Sequence, residues 1–248
     1  MFRIFILLLS FSFCLFSGTI EGTVSYAGSN KTSKELKMDS DPICGTSHSV
    51  PPKNESFVLN EDNKFKNVIV WLKGFDYEGK LSSDTVTIDQ TGCMYSPHVS
   101  TLTTGQNVFI KNSDKTLHNV NSQSKVNANF NSAQPAGVPD IQKSFPYPED
   151  PFYIKCDVHP WMKAWVMVAD HPYFAITDKN GQFKIENIPA GQYELVFWQE
   201  KLSNLPKKKY TIPSNTISVT VSESTDGDSA NITKADFIFQ KPVKKKKK

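Results

Sequence analysis

Short runs in which apolar and polar residues alternate recur along most of the chain: TIEGTVSYAG, NVIVWLKG, TVTIDQ, TGQNVFIKN, FYIKCDV, AWVMVAD, GQFKIENI, QYELVFW, TISVTV and ADFIFQ. They are rich in Val, Ile, Thr, Phe and Trp, and Gly, Pro, Asn and Asp separate them, as expected of strands joined by turns. No stretch sustains the period of a long helix. The pattern predicts an all-β protein built from β-sandwiches, which carry function in loops at the ends of their sheets. In TDKNGQF, Asn180 and Gly181 both tolerate positive φ, so a hairpin is expected there, with IENIPAGQYELVFW continuing the meander. Between Val120 and Phe152 the chain is polar and proline-rich, which predicts a long loop laid over a scaffold rather than a central strand.

Residues 1–18, MFRIFILLLSFSFCLFSG, break the alternation: one early cation, Arg3, precedes an apolar run that ends in small residues. That is the layout of a secretory signal peptide, so the mature chain is expected to start near Thr19 in a periplasmic or secreted location. Cys14 invites a lipid-anchored alternative, but Phe13 is bulky where small residues are expected. No later stretch is long and apolar enough to span a membrane. At 248 residues the chain has room for one large or two small domains with real cores.

The formal net charge of +3 is a product of the two ends. Setting aside Arg3 and the six lysines of the terminal KPVKKKKK leaves 21 lysines against 25 acids, and no arginine at all. Arginine is the residue best suited to bidentate contacts with bases and phosphates, so nucleic-acid binding is not expected. The lysine-rich tail, residues 241–248, is expected to solvate the terminus or to contact an anionic surface.

One seven-residue stretch concentrates chemistry. In CDVHPWM, Cys156, His159 and Met162 place a thiol, an imidazole and a thioether on one loop between the strands FYIKC and AWVMVAD. His118, just after the strand NVFIKN, is a remote fourth candidate. Soft sulfur plus two imidazoles, with a weak axial methionine, suits a copper centre that transfers electrons. Zinc, the main rival for Cys and His, prefers tetrahedral closure and gains little from Met. Met167 could also supply a thioether, but alternation in AWVMVAD makes it a core residue.

GQNVFIKNSDKTLHNV followed by CDVHPWM resembles the two halves of a cupredoxin, with the short ligand loop of amicyanin and plastocyanin-like relatives, over about residues 86–168. The resemblance implies a Greek-key sandwich holding one type 1 copper, with His118, Cys156 and His159 as equatorial ligands and Met162 as the axial one. It also implies that Asn119 ties the two ligand segments together, its backbone N–H pointing at the thiolate. Asp157 departs from the Ser or Thr that many members carry after the cysteine. His159 would be the doorway for electrons, with Pro160 and Trp161 forming an apolar docking surface for an unidentified redox partner protein. Packing of Trp161 against the long loop is the plainer alternative for that residue.

With Cys156 given to metal, Cys44 and Cys93 remain in the mature chain, and in an oxidising compartment they are expected to form a disulfide. A second metal site from Cys44, His48, Cys93 and His98 is the alternative. His171 reads as an ordinary boundary residue.

The segment AITDKNGQFKIENIPAGQYELVFWQEKL resembles the carboxypeptidase regulatory-like, transthyretin-like module through Thr177, Asp178, Gly181, Phe183, Pro189, Gly191 and Tyr193. GTIEGTVSYAG and NVIVWLKG resemble its opening strands. The implied organisation is a discontinuous module, residues 19–82 and 171–240, with the cupredoxin domain, residues 83–170, inserted in it. Chains combining these parts are often labelled methylamine utilisation proteins, a name that asserts a pathway the residues do not show. No enzyme is expected: nothing gathers a nucleophile, a base and an orienting group, and a catalytic copper centre would need further histidines. The expected function is a one-electron carrier. The alternative is a non-redox protein that delivers copper, or one for surface attachment with a structural metal.

Overall fold

In the strand segments, side chains alternate between the two faces of a sheet, and the buried positions follow that period of two. Thus Phe183 and Ile185 are buried between exposed Gln182, Lys184 and Glu186, until Asn187, at positive φ, shifts the alternation and makes Ile188 the next buried position. The computed structural model describes residues 17–29, 33–222 and 231–245. The expected signal segment lies outside the described residues except for Ser17 and Gly18, which already belong to the first strand, Ser17–Tyr26. The described chain is nearly all β, with two short helices, Pro42–Thr46 and Glu200–Ser203.

The strands pack as two sandwiches. In the flanking sandwich, one sheet joins Gln182–Pro189, Ser17–Tyr26, Asn231–Lys234 and Phe237–Phe239. Its other sheet runs Phe174–Ile176, Ile69–Lys73, Gly191–Trp198, Thr216–Val221. Ile20, Val24, Phe65, Leu72, Phe183, Leu195 and Phe197 form the core between them. The site-bearing sandwich is built from the middle of the chain. Its five-stranded sheet runs Asn131–Gln134, His118–Ser122, Glu149–Lys155, Lys163–Ala169, Val99–Thr103. The facing sheet runs Ile141–Ser144, Asn107–Asn112, Val86–Thr91, Met94–Ser96.

A third apolar cluster joins the two units, with Ile69 and Trp198 of one against Val99, Trp165 and Met167 of the other. The Trp165 and Trp198 rings lie 4.7 Å apart. His98 Nε2 meets Glu200 Oε2 at 2.8 Å across the same junction. Met167 is therefore a packing residue, only 2% exposed. His171 is buried as well: its Nδ1 accepts from the Tyr173 amide and its Nε2 donates to the Leu72 carbonyl.

Five expectations change. Asn180–Gly181 does turn the chain, with Gly181 alone of the pair at positive φ (73°), where the Val24 carbonyl leaves no room for a Cβ. The flanking strands, however, enter different sheets: Phe174–Ile176 pairs with Ile69–Lys73, and Gln182–Pro189 pairs with Ser17–Tyr26. The turn therefore links opposing sheets and no hairpin forms. The supposed meander fails likewise, because Gly191–Trp198 pairs with Ile69–Lys73 and Thr216–Val221 and not with its predecessor. Turn residues report a reversal of the chain, not which strand becomes the hydrogen-bonded neighbour.

The polar stretch after Val120 contains two short strands, Asn131–Gln134 and Ile141–Ser144, each at a sheet edge. Edge strands need only one apolar face, so polar composition does not exclude them. Residues 36–44 do not pack in the flanking sandwich as a boundary at residue 82 would require. Leu36, Met38 and Cys44 join the core of the site-bearing unit. Finally, the tail is tied down in its first part, where Val243–Lys244 pairs with Tyr210–Thr211.

Candidate metal centre

His118 opens the strand His118–Ser122, and Cys156 follows the neighbouring strand Glu149–Lys155. Those two strands pair through Ile154–Ser122 and Lys155–Asn121, which brings the histidine and the cysteine to the same end of one sheet. The turn beyond Cys156 closes on itself: the Met162 amide donates to the His159 carbonyl at 2.9 Å and the Cys156 amide to the Met162 carbonyl at 3.2 Å. Pro160 and Trp161 span this closure, so His159 and Met162 are held back over the sandwich.

The donors converge. His118 Nδ1 lies 2.9 Å from His159 Nδ1, and His159 Nδ1 lies 3.7 Å from Cys156 Sγ. His118 is 0% exposed, His159 1% and Cys156 2%. Among the described residues Cys156 is the free cysteine. Met162, further along the same turn, is buried in the same core cluster as Cys156. Two imidazole nitrogens and one thiol sulfur, all dry and separated by roughly the edges of a coordination triangle, form a donor set suited to a soft, imidazole-binding metal.

Electrostatics prepare the set for a cation. Burial alone would pull the His118 imidazolium down, but the carboxylate of Asp114 and the sulfur of Cys156 more than offset it and hold His118 up at about 9. Burial likewise raises the Cys156 thiol, yet the hydrogen bond from His118 and the backbone N–H groups of Asn119, His159 and Val158 bring it below its ordinary value. The thiolate, the form that ligates metal, is therefore favoured.

Asn119 does tie the two segments. Its Oδ1 accepts the Asp157 amide at 2.6 Å and lies 3.3 Å from Cys156 Sγ. The Asp157 carboxylate adds to the tie: Oδ2 accepts from the side-chain amides of Asn119, Asn121 and Asn131. Lys155 first, and then those amides, lower Asp157 to about 2.

Cys44 and Cys93 are joined in a disulfide with a Cα–Cα distance of 5.5 Å. The four-ligand alternative does not form. His48 Nε2 bonds the Gly92 carbonyl and His98 bonds Glu200, so neither histidine turns to the cysteines. The bridge instead packs against the candidate centre, with Cys44 Sγ 3.7 Å from His159 Nε2. Cys93 sits with Gly92 in a two-residue turn in which both have positive φ, joining Val86–Thr91 to Met94–Ser96.

This placement corrects the expected doorway. The outer edge of His159 is not open: Asp41 Oδ2 lies 3.2 Å and Cys44 Sγ 3.7 Å from its Nε2, and the residue is 1% exposed. Trp161 is only half-buried, but its indole N–H donates inward to the Cys93 carbonyl at 3.0 Å and its ring lies 5.1 Å from His159. Pro160 and Val158 are the exposed residues on either side of His159.

Asp41 and Asp114 were missed in the sequence. Asp114 stands four residues before His118 in NSDKTLH and accepts from or pairs with its Nε2 at 2.9 Å. Asp41 belongs to a segment remote from both histidines, where its one legible signal was an N-cap ahead of Pro42.

No protein-family model matches the chain, and no curated protein matches it. Several solved structures overlap part of it. A copper-containing nitrite reductase from Thermus scotoductus SA-01 is 20% identical over 39% of this chain, with a TM-score of 0.33. The chain spans only 25% of that reductase. A purple cupredoxin from Nitrosopumilus maritimus is 26% identical over 34% of this chain and 99% of its own, with a TM-score of 0.29. Amicyanin from Paracoccus versutus is 20% identical over 36% of this chain and 84% of its own, with a TM-score of 0.31. At such scores the assignment of roles rests on the residues themselves.

Proposed function

We propose that the protein is an exported one-electron carrier in which His118, Cys156 and His159 hold one type 1 copper, with Met162 as the axial ligand. The observation that carries the reading is the convergence of two buried imidazole nitrogens and a buried thiol whose deprotonation the surroundings favour. Copper bound there would supply a couple that changes by one electron. The protein's part is to fix the donors so that the same geometry serves both oxidation states. The Met162–His159 and Cys156–Met162 backbone bonds hold the loop, and Asn119 holds it to the strand of His118. The Cys44–Cys93 disulfide supports an oxidising compartment. Electrons would cross at the exposed rim of Val158 and Pro160, with the flanking sandwich, read as regulatory-like, serving as a scaffold.

The rival reading, copper delivery, calls for an accessible site that releases its metal to an acceptor. The near-complete burial of His118 and His159 favours retention. Loading with Cu(II) tests the proposal: an intense blue thiolate charge-transfer band, lost in Cys156→Ser, is expected, together with reversible reduction by voltammetry. A pale or colourless complex overturns it.

A further inference from the structure

Each histidine of the candidate centre has two edges, and the structure treats them differently. The inner Nδ1 atoms face one another and the thiol. The outer Nε2 atoms each face a carboxylate: Asp114 Oδ2 at 2.9 Å from His118, and Asp41 Oδ2 at 3.2 Å from His159. A neutral imidazole has one N–H and one lone pair, and a carboxylate can only accept, so it draws the proton to the nitrogen it faces. The 2.9 Å between the two Nδ1 atoms accommodates one proton, so in the metal-free chain His118 Nδ1 donates to a bare His159 Nδ1, and a metal that displaces that proton meets two Nδ1 lone pairs on rings that the carboxylates make stronger donors.

Neither carboxylate is free to move. Asp41 caps the helix Pro42–Thr46: Oδ1 accepts from the amides of Ile43 and Cys44 at 2.8 and 2.9 Å, and Oδ2 accepts the Thr116 hydroxyl at 3.1 Å. Asp114 accepts the Gly92 amide at 2.7 Å with Oδ1 and the Cys93 amide at 2.8 Å with Oδ2. One carboxylate thus grips the backbone at Cys44, the other the backbone at Cys93, and the disulfide joins those two cysteines. Carboxylate, cysteine backbone and disulfide form a single clasp around the outer edges of both rings. Asp41 comes from a segment that lies outside both sheets of the site-bearing sandwich, so the clasp brings an outside group to the centre.

We propose that Asp41 and Asp114 are positioning residues that fix the tautomer of His159 and His118 and bias the centre toward the more highly charged state of its metal, with Cys44–Cys93 holding both in place. The bias rests on the copper reading above; the tautomer does not. Two fixed negative charges a single ring away stabilise Cu(II) more than Cu(I).

Asparagine in place of either aspartate keeps a side-chain oxygen for the backbone amides and removes the charge. In Asp41→Asn and Asp114→Asn, the preference for Cu(II) over Cu(I) is expected to fall about tenfold, the low end of what loss of a ligand's partner costs. For one electron that raises the midpoint potential by about 59 mV. Unchanged potentials in both variants overturn the bias. Nitrogen-15 NMR of the metal-free wild-type chain tests the clasp without copper and without a variant that could fail to fold. His159 is expected to carry its proton on Nε2 and to have a bare Nδ1. A proton resident on His159 Nδ1 instead overturns the positioning role, whether or not the copper-loaded chain is blue.

Discussion

The Asp157 amide donates to Asn119 Oδ1 at 2.6 Å, and this one bond fastens the turn carrying Cys156 and His159 to the strand that opens with His118. The same oxygen lies 3.3 Å from the thiol. Removing it leaves a part-buried amide without a partner and frees the loop.

Asn119→Ala is therefore expected to destabilise the metal-free protein by about 1–3 kcal/mol, the cost of an unsatisfied buried donor. Metal affinity should fall with it. Urea midpoints of the metal-free chain and copper titration check the two effects separately; a variant with unchanged stability would show that the Asp157 carboxylate alone holds the turn.

Met162 is 2% exposed within the apolar core, so its packing and its proposed ligation can be separated. Met162→Leu nearly conserves volume and should cost the metal-free protein less than about 1.5 kcal/mol. The reduction potential of the copper form should nevertheless change, since the axial group tunes it. A potential identical to wild type would remove Met162 from the ligand set.

The disulfide closes a loop between positions separated by 49 residues. Chain-entropy reasoning gives about 4 kcal/mol for a loop of that length. A chain beginning at Thr19, denatured without reductant and free of metal, should show one reactive thiol, Cys156. The Cys44→Ala, Cys93→Ala double variant should lose a large part of that stability in a denaturant melt. Three reactive thiols in the wild type would contradict the bridge.

Glu149 lies away from the centre and offers a pH-dependent test of the long loop. Its carboxylate accepts from the Ser124 hydroxyl at 2.6 Å and from the amides of Lys125, Val126 and Asn127, and also from the Asn127 side chain. Burial pushes the group up, but these donors more than offset it and hold it below its ordinary 4.5. A lowered folded-state value means that its stabilisation is fully present above 4.5 and disappears as the pH falls through the folded value. Glu149→Gln should therefore be less stable than wild type at pH 7, and the difference should shrink in acid. Equal urea midpoints at pH 7 would show that the loop does not depend on this charge.

The strand runs and the CDVHPWM cluster were legible because each is a local property. Alternation marks a half-buried strand wherever it occurs, and a loop of seven residues cannot hide a thiol, an imidazole and a thioether from one another. His118 was legible by resemblance, through the HNV that comes after the strand Asn107–Asn112 and opens its own. The two turn errors share one cause. TDKNGQF and IENIPAGQYELVFW announce reversals correctly, yet whether a reversed strand pairs with its predecessor or crosses to the opposite sheet depends on competition for partners. Asp114 could have been suspected from its place four residues before His118; Asp41 could not, since it meets His159 only because the segment from Leu36 to Cys44 folds onto the site-bearing core.

By itself, then, the sequence determined an all-β chain and the clustering of Cys156, His159 and Met162 on one loop, because periodicity and short spacing are set by covalent geometry; His118 entered through a resemblance. Only the tertiary structure decided that the outer edges of His118 and His159 are closed rather than open to a partner. That outcome depends on a disulfide, two aspartates and a turn drawn from distant stretches, which meet through packing and hydrogen bonding that no local pattern encodes.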